Sequence, residues 1–446
     1  MGLARFLGLS ARSEAALPLS DSRSIRKLLS HCRALLSERG GIDGSQLATE
    51  ALNLYQSLEP PGRRVFFEAL IKDFSPDPEL VGHAADAYRR DPSSQNLLQL
   101  QRVVEPPRQE LFRQLNLAPE GTRSLVAMRS HVLHEIDNGS QLEPIAADLG
   151  HLLMSWFNRG FLTLQRIDWH SSAVVLQKLI EYEAVHQIHG WDDLRRRLEA
   201  DRRCYAFFHS ALREEPLIFI EVALTRGMSE RVQPLLAPDS EVKDPASADS
   251  AIFYSITNCQ DGLRGVPFGS LLVKQVVEDL RKNLPRLRTF ATLSPIPGFR
   301  KWLGAELDKP ESTLVAGVRK VLEKLDQPDS GGIANDLKDH LIPLCAFYLL
   351  NAKRGKEPLD AVARFHLKNG ARLDRINWSA DTSASGIRQS AGMMVNYVYE
   401  LDDLERNHEL YARRCQVSSS RKVQALARQA GVRKPARARS KENLVQ

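Results

Sequence analysis

From about Ser22 to Trp156 the apolar residues recur at helical spacing and never alternate as a strand would, whereas beyond Trp156 runs rich in β-branched and aromatic residues take over. This switch constrains the chain more than any other feature. It requires an all-helical region followed by a mixed one, an α+β organisation. In the first region Leu125, Met128, Val132 and Ile136 form one stripe, and Ile145, Leu149, Leu152, Leu153 and Trp156 form a second. Pro144 stands where the first turn of a helix tolerates proline. Polar stretches at Pro60-Pro61-Gly62, Asp91-Pro92-Ser93-Ser94, Pro106-Pro107 and Asp137-Asn138-Gly139-Ser140 read as connections, so the region is expected to be a helical bundle with the stripes as its core. Beyond it, Pro216–Thr225, Ala251–Thr257 and, more weakly, Leu287–Leu293 read as strands, with amphipathic helices predicted over Ser172–His186 and Ser270–Asn283. A chain of 446 residues exceeds one ordinary core. The expected division is 1–156 helical, 157–412 mixed and 413–446 a tail.

The formal net charge of +6 is concentrated in that tail. From Arg413 to Gln446 ten Lys and Arg residues stand against the single acid Glu442, a net of +9 that leaves −3 for the rest. With no aromatic residue on which a base would stack after Tyr411, the tail reads as solvated and disordered, and no nucleic-acid partner is expected. No apolar run approaches the roughly 18 residues of a membrane span, so no membrane partner is expected either. Cys32, Cys204, Cys259, Cys345 and Cys415 are odd in number, far apart and without a CxxC pair. They fit a reducing compartment and argue against a zinc site or a disulfide scaffold. The N-terminus is mildly basic but lacks a long apolar core, so the cytoplasm is expected in preference to the mitochondrial matrix.

Three segments carry chemistry. Ala251–Thr257 runs through Asn-Cys-Gln-Asp-Gly-Leu-Arg-Gly-Val-Pro-Phe-Gly-Ser270 into a helical pattern, and a strand, glycine loop and helix N-terminus together deliver backbone N–H groups to a phosphate. It is neither a P-loop nor a GxGxxG fingerprint, and an ordinary glycine-rich turn fits it equally well. Its form is similar to the pyrophosphate loop of the N-acetyltransferase (GNAT) fold, with Gln260 and the run from Arg264 to Ser270 in that role. Thr292-Leu-Ser-Pro-Ile-Pro-Gly-Phe299 puts Ser294 at a strand end before a proline turn, where alone it reads first as a helix cap and, with no GxSxG, not as a hydrolase nucleophile. His366, between Phe365 and Leu367, alone reads as a core histidine. Glu183, His186 and His189 share a predicted helix but lack HExxH spacing, so no metal is expected there.

Taken together, these segments resemble the malonyl-CoA decarboxylase family. The resemblance runs from about Asn158 to Tyr399 and includes Ile167-Asp-Trp-His-Ser-Ser172, Arg202-Arg-Cys-Tyr205, Leu293-Ser-Pro-Ile-Pro-Gly-Phe299, Phe365-His-Leu-Lys-Asn-Gly-Ala371, Arg375-Ile-Asn-Trp378 and Asn396-Tyr397. It implies a helical domain that makes homo-oligomer contacts, as a dimer or tetramer, ahead of a GNAT-like catalytic domain. It implies conversion of malonyl-CoA to acetyl-CoA and carbon dioxide with no cofactor, coenzyme A being part of the substrate. The family's catalytic pair falls on Ser294, as proton acceptor or carboxylate-orienting group, and His366, as a proton donor titrating near neutrality. Its coenzyme A loop falls on Arg264, Gly265, Val266, Pro267, Phe268, Gly269 and Ser270. Asn377, Asp381 and Tyr397 lie in matching motifs without assigned roles. The competing readings are an acyl-CoA N-acetyltransferase, which shares the loop but needs no Ser–His pair, and a non-catalytic acyl-CoA sensor.

Overall fold

The structure, a computed structural model, describes residues 19–37, 40–266, 272–308 and 337–430. Among them the chain forms two compact units. The first runs to Thr163 and takes in Phe208–Leu217 and Asn258–Phe268; the second holds the remainder.

The first unit is the helical bundle. Its helices are α1 (Leu19–Leu35), α2 (Gly40–Gln56), α3 (Pro60–Asp73), α4 (Pro78–Arg90), α5 (Ser94–Val104), α6 (Pro107–Leu115), α7 (Gly121–Asp137) and α8 (Glu143–Trp156). Leu125, Met128 and Val132 of α7 and Ile145, Leu149 and Leu152 of α8 are buried with Phe66, Phe67 and Phe112, so the sequence stripes are the core. Pro60-Pro61-Gly62 is not a connection. It is the first turn of α3, where a missing N–H costs nothing. Arg129 of α7, buried, donates to the carbonyls of Gly262 and Arg264 at 2.6 and 2.9 Å and so fixes the start of the glycine loop on the bundle.

The second unit is built on β1 (Leu162–Ile167), β2 (Arg202–His209), β3 (Ile218–Thr225), β4 (Ser250–Asn258), β5 (Thr289–Thr292), β6 (Ser294–Pro295), β9 (Arg372–Asn377) and β10 (Met394–Val398), with a separate two-stranded ribbon of β7 (Lys353–Arg354) and β8 (Glu357–Pro358). The large sheet runs β1-β2-β3-β4-β5-β10-β6, and β9 also pairs with β10. β4 and β5 are parallel, while β2–β3, β5–β10, β6–β10 and β9–β10 are antiparallel. This is the mixed α and β architecture expected. The helices are α9 (Ala173–Tyr182), α10 (Trp191–Arg197), α11 (Gln233–Leu236), α12 (Leu272–Asn283), α13 (Phe299–Leu307), α14 (Lys338–Asn351), α15 (Ala361–Lys368), α16 (Ala384–Ser390), α17 (Leu404–Arg414) and α18 (Arg421–Gln429). α9 stops at Tyr182, four residues before the predicted end. Glu183 there turns its carboxylate back onto the amides of Val185 and His186, both at 2.7 Å, and accepts the hydroxyl of Ser255, so it and the two histidines do not share a helix.

The basic tail carries structure as far as Ala430, contrary to the expectation from composition. Arg413 and Arg414 close α17; Ser418 and Ser420 exchange backbone hydrogen bonds with Leu373 of β9; and α18, capped by the Ser420 hydroxyl, buries Val423 completely. One apolar residue at the right register outweighs the charge of its neighbours, which stay in water. Residues 431–446 lie outside the described residues.

Candidate active site

Side chains alternate along a strand, so Thr292 and Ser294 share one face of the sheet while Leu293, packed with Ile252 and Met394, points to the other. Ser294 is aligned by the pairing of β6 with β10, where it sits opposite Val395. The same alternation puts Tyr397 and Tyr399 on the Ser294 face. β9 accommodates this by leaving Asp374 unpaired, a bulge beside the Asn396–Tyr397 step.

His366 reaches the face from α15. Asp360 caps that helix by accepting the Ala363 amide at 2.9 Å, and also accepts the Tyr348 hydroxyl at 3.2 Å. Nε2 of His366 lies 3.0 Å from Ser294 Oγ, and Nδ1 lies 2.8 Å from the Tyr399 hydroxyl. The ring stacks on Tyr397, centroids 4.5 Å apart at 25°. The Ser294 hydroxyl donates to Thr292 Oγ1 at 2.8 Å, and the Tyr397 amide donates to that same oxygen at 3.2 Å. Asn396, wholly buried, donates to the Thr292 carbonyl at 2.7 Å and accepts from Asn377 at 2.7 Å.

Burial alone lowers the His366 pKa to about 3, against the near-neutral titration expected from sequence. The resting imidazole is therefore neutral, because nothing nearby repays the desolvation of its charged form. Burial likewise raises the Tyr397 and Tyr399 phenols well above their usual range. The site is a buried hydrogen-bond chain of groups that are neutral at rest.

A family model described as the malonyl-CoA decarboxylase C-terminal domain matches residues 160–438, and one described as the malonyl-CoA decarboxylase N-terminal domain matches residues 74–157. The chain belongs to the malonyl-CoA decarboxylase family. Mitochondrial malonyl-CoA decarboxylase of Anser anser anser is 34% identical over 442 residues, covering 90% of this chain and 88% of its own. That of Rattus norvegicus is 36% identical over 358 residues, covering 74% and 73%. The crystal structure of malonyl-CoA decarboxylase from Rhodopseudomonas palustris superposes with a TM-score of 0.86 at 48% identity, covering 90% of this chain and 99% of that one. The corresponding Agrobacterium vitis structure gives 0.83 at 46%, with the same coverage.

Of the residues the family resemblance picks out, Ser294 and His366 meet in one hydrogen bond. Arg264, Gly265 and Val266 belong to the first unit, and Pro267, Phe268, Gly269 and Ser270 lie outside the described residues. Arg264 turns its guanidinium to Asp137, both contacts at 3.0 Å, and Gly265 takes a φ of +83°, which a side chain would oppose. Gly262 also leaves no room for a side chain: a Cβ there would stand 1.9 Å from the Val126 carbonyl oxygen of α7. Asp381 accepts from the Gln233 side chain and the Ser383 amide. Thr292, Asn396 and Tyr399 are given no role by the sequence alone. The signal for two of them was present as two-residue spacing, Thr292 with Ser294 and Tyr397 with Tyr399.

Proposed function

We propose that Ser294 and His366 carry the conversion of malonyl-CoA to acetyl-CoA and carbon dioxide, with coenzyme A held by the loop from Arg264 to Ser270. Loss of the carboxylate leaves an electron pair on C2, which the thioester carbonyl takes up as an enolate; C2 then receives a proton. The thioester is the electron sink, so the step draws on no metal or organic cofactor. Taking the carboxylate out of water favours its departure, and a donor at the enolate oxygen is commonly worth a few kcal/mol. The single observation that carries the reading is the buried 3.0 Å contact between Ser294 and His366.

His366 is neutral at rest, but an anionic malonyl group entering beside it raises its proton affinity. The imidazolium formed then delivers its Nε2 proton, with Ser294 orienting the carboxylate or passing the proton to C2, and each turnover consumes one proton. The purified protein incubated with malonyl-CoA should yield acetyl-CoA and carbon dioxide in equal amounts. His366→Asn should lower turnover by about 100-fold or more and leave coenzyme A affinity nearly unchanged. Retained turnover in that variant removes His366 from the reaction, and coenzyme A binding without any turnover in the native protein returns the sensor reading. Activity that survives exhaustive chelation is expected; its loss would assign a metal.

The helical unit is the surface we assign to homo-oligomer contact. α4 and α5 pack on each other and expose Leu80, Leu97, Leu98 and Val104, each by more than a third. A joint Leu80→Glu and Leu98→Glu change should lower the mass seen by light scattering toward the 50.1 kDa of one chain. A native protein already of that mass overturns the assignment. The cytoplasm remains the compartment we propose, supported by five cysteines without a disulfide; cell fractionation tests it.

A further inference from the structure

Thr292 is a candidate for a role in the reaction that neither the motif nor the Ser–His contact assigns. The chain Tyr399, His366, Ser294, Thr292 is linked by contacts of 2.8, 3.0 and 2.8 Å, and all four residues are buried. Each link has one proton, so the chain has two self-consistent directions. In one, the Tyr399 hydroxyl donates to Nδ1, Nε2–H donates to Ser294, and Ser294 donates to Thr292. In the other every donor becomes an acceptor. A phenol is a better donor and a poorer acceptor than an alkyl hydroxyl, which aims the Tyr399 O–H at the Nδ1 lone pair and favours the first direction. That direction has one further requirement: Thr292 must offer a fixed lone pair at the far end. The Tyr397 amide and the Asn396 side chain, donating to Oγ1 and to the carbonyl of Thr292, hold it in place for that purpose.

We infer that Thr292 is a positioning residue that fixes the direction of this chain, so that His366 presents Nε2–H, and not a lone pair, to Ser294. The inference rests on the proposed roles of Ser294 and His366 and deepens them. A hydrolase pair needs the opposite polarity, with the imidazole accepting the serine proton to make a nucleophile. Directing the Ser294 O–H to Thr292 Oγ1 denies the serine that activation and leaves the imidazole as a donor, which is what protonation of C2 requires. Thr292 acts through Ser294, from whose hydroxyl it accepts.

The histidine tautomer reads this directly. In the full-length protein labelled with ¹⁵N-histidine, with the resonances of His366 identified among the twelve histidines by their loss in His366→Asn, the neutral ring should carry its proton on Nε2. Thr292→Val keeps the shape and removes the acceptor. The Nδ1–H form should then rise and kcat fall by about tenfold or more, the effect of roughly one hydrogen bond, with KM little changed. Thr292→Ser should restore both tautomer and kcat, which a loss of packing would not allow. An unchanged tautomer in Thr292→Val, or a Thr292→Ser protein that behaves as Thr292→Val does, overturns the inference. The tautomer is measured without substrate, so this failure is distinct from a failure of the decarboxylase mechanism, which shows as full turnover in His366→Asn.

Discussion

The hydroxyl of Tyr399 stands 2.8 Å from Nδ1 of His366, the place a carboxylate occupies in a Ser-His-Asp triad. A carboxylate there would stabilise the imidazolium by its charge. A phenol whose own ionisation burial opposes orients the ring and leaves it uncharged until an anion arrives. In the proposed mechanism substrate binding and proton uptake would thereby become one event.

Removal of that hydroxyl should free the ring without unpacking it. Tyr399→Phe is expected to lower kcat by about tenfold to 100-fold, in the range of one lost buried hydrogen bond and a misplaced acid, with KM within a few-fold. Steady-state kinetics on the decarboxylation checks this, and a KM effect without a kcat effect would assign Tyr399 to binding.

The depressed pKa of His366 makes stability depend on pH with a definite sign. The unfolded imidazole binds a proton below about 6.5, while the folded one resists to about 3, so this contribution is complete above 6.5 and is lost as pH falls between those values. His186, lowered to about 4 by burial, adds to the same window. Each such group steepens the fall by about 1.4 kcal/mol per pH unit. Thermal unfolding of the native protein against His366→Gln between pH 7 and 5 should therefore show the variant losing less Tm on acidification.

Gly262→Ala should damage the helical unit by a route separate from chemistry. The added Cβ falls 1.9 Å from a backbone oxygen of α7, and backbone gives way less readily than a side chain. A loss of about 3 kcal/mol is expected, at the upper end for overpacking. Denaturant unfolding checks it. A neutral result would mean that the loop after Asn258 shifts freely against the bundle.

Ending the chain before Arg413 should destabilise the protein, since it removes the two serine links to Leu373 and the buried Val423. Burying a valine is worth roughly 1.5 kcal/mol and more. A chain ended at Ala430 keeps these contacts and should unfold at the native temperature, so a shared fall in both would place the cause beyond Ala430.

The order of helices before strands and the bundle core were legible in the sequence because helical periodicity there is strong, and β3, β4 and, more weakly, β5 were legible from their β-branched and aromatic residues. β1, β2, β9 and β10 were not. β2 opens on two arginines, and β9 has Leu373 and Ile376 as the apolar residues among six positions, so neither looks apolar until its neighbours cover it. In the site, Ser294 and His366 were legible only through the family resemblance. Taken alone they read as a helix cap and a core histidine, and the second is half true: His366 is buried and neutral at rest. Thr292 and Asn396 contribute through hydrogen bonds across strands, which no single sequence displays.

The placement of Thr292 with Ser294 and of Tyr397 with Tyr399 on one face depends on nothing but the two-residue repeat of β5, β6 and β10. Substitutions alter one such side chain at a time, whereas a single inserted or deleted residue in β10 ahead of Tyr397 would turn both tyrosines to the opposite face together. β10 is paired on both sides and cannot slide to compensate. The segment from Met394 to Tyr399 should therefore accept exchanges of residue at some positions but changes of length at none, and descent within the family should be written there in substitutions alone.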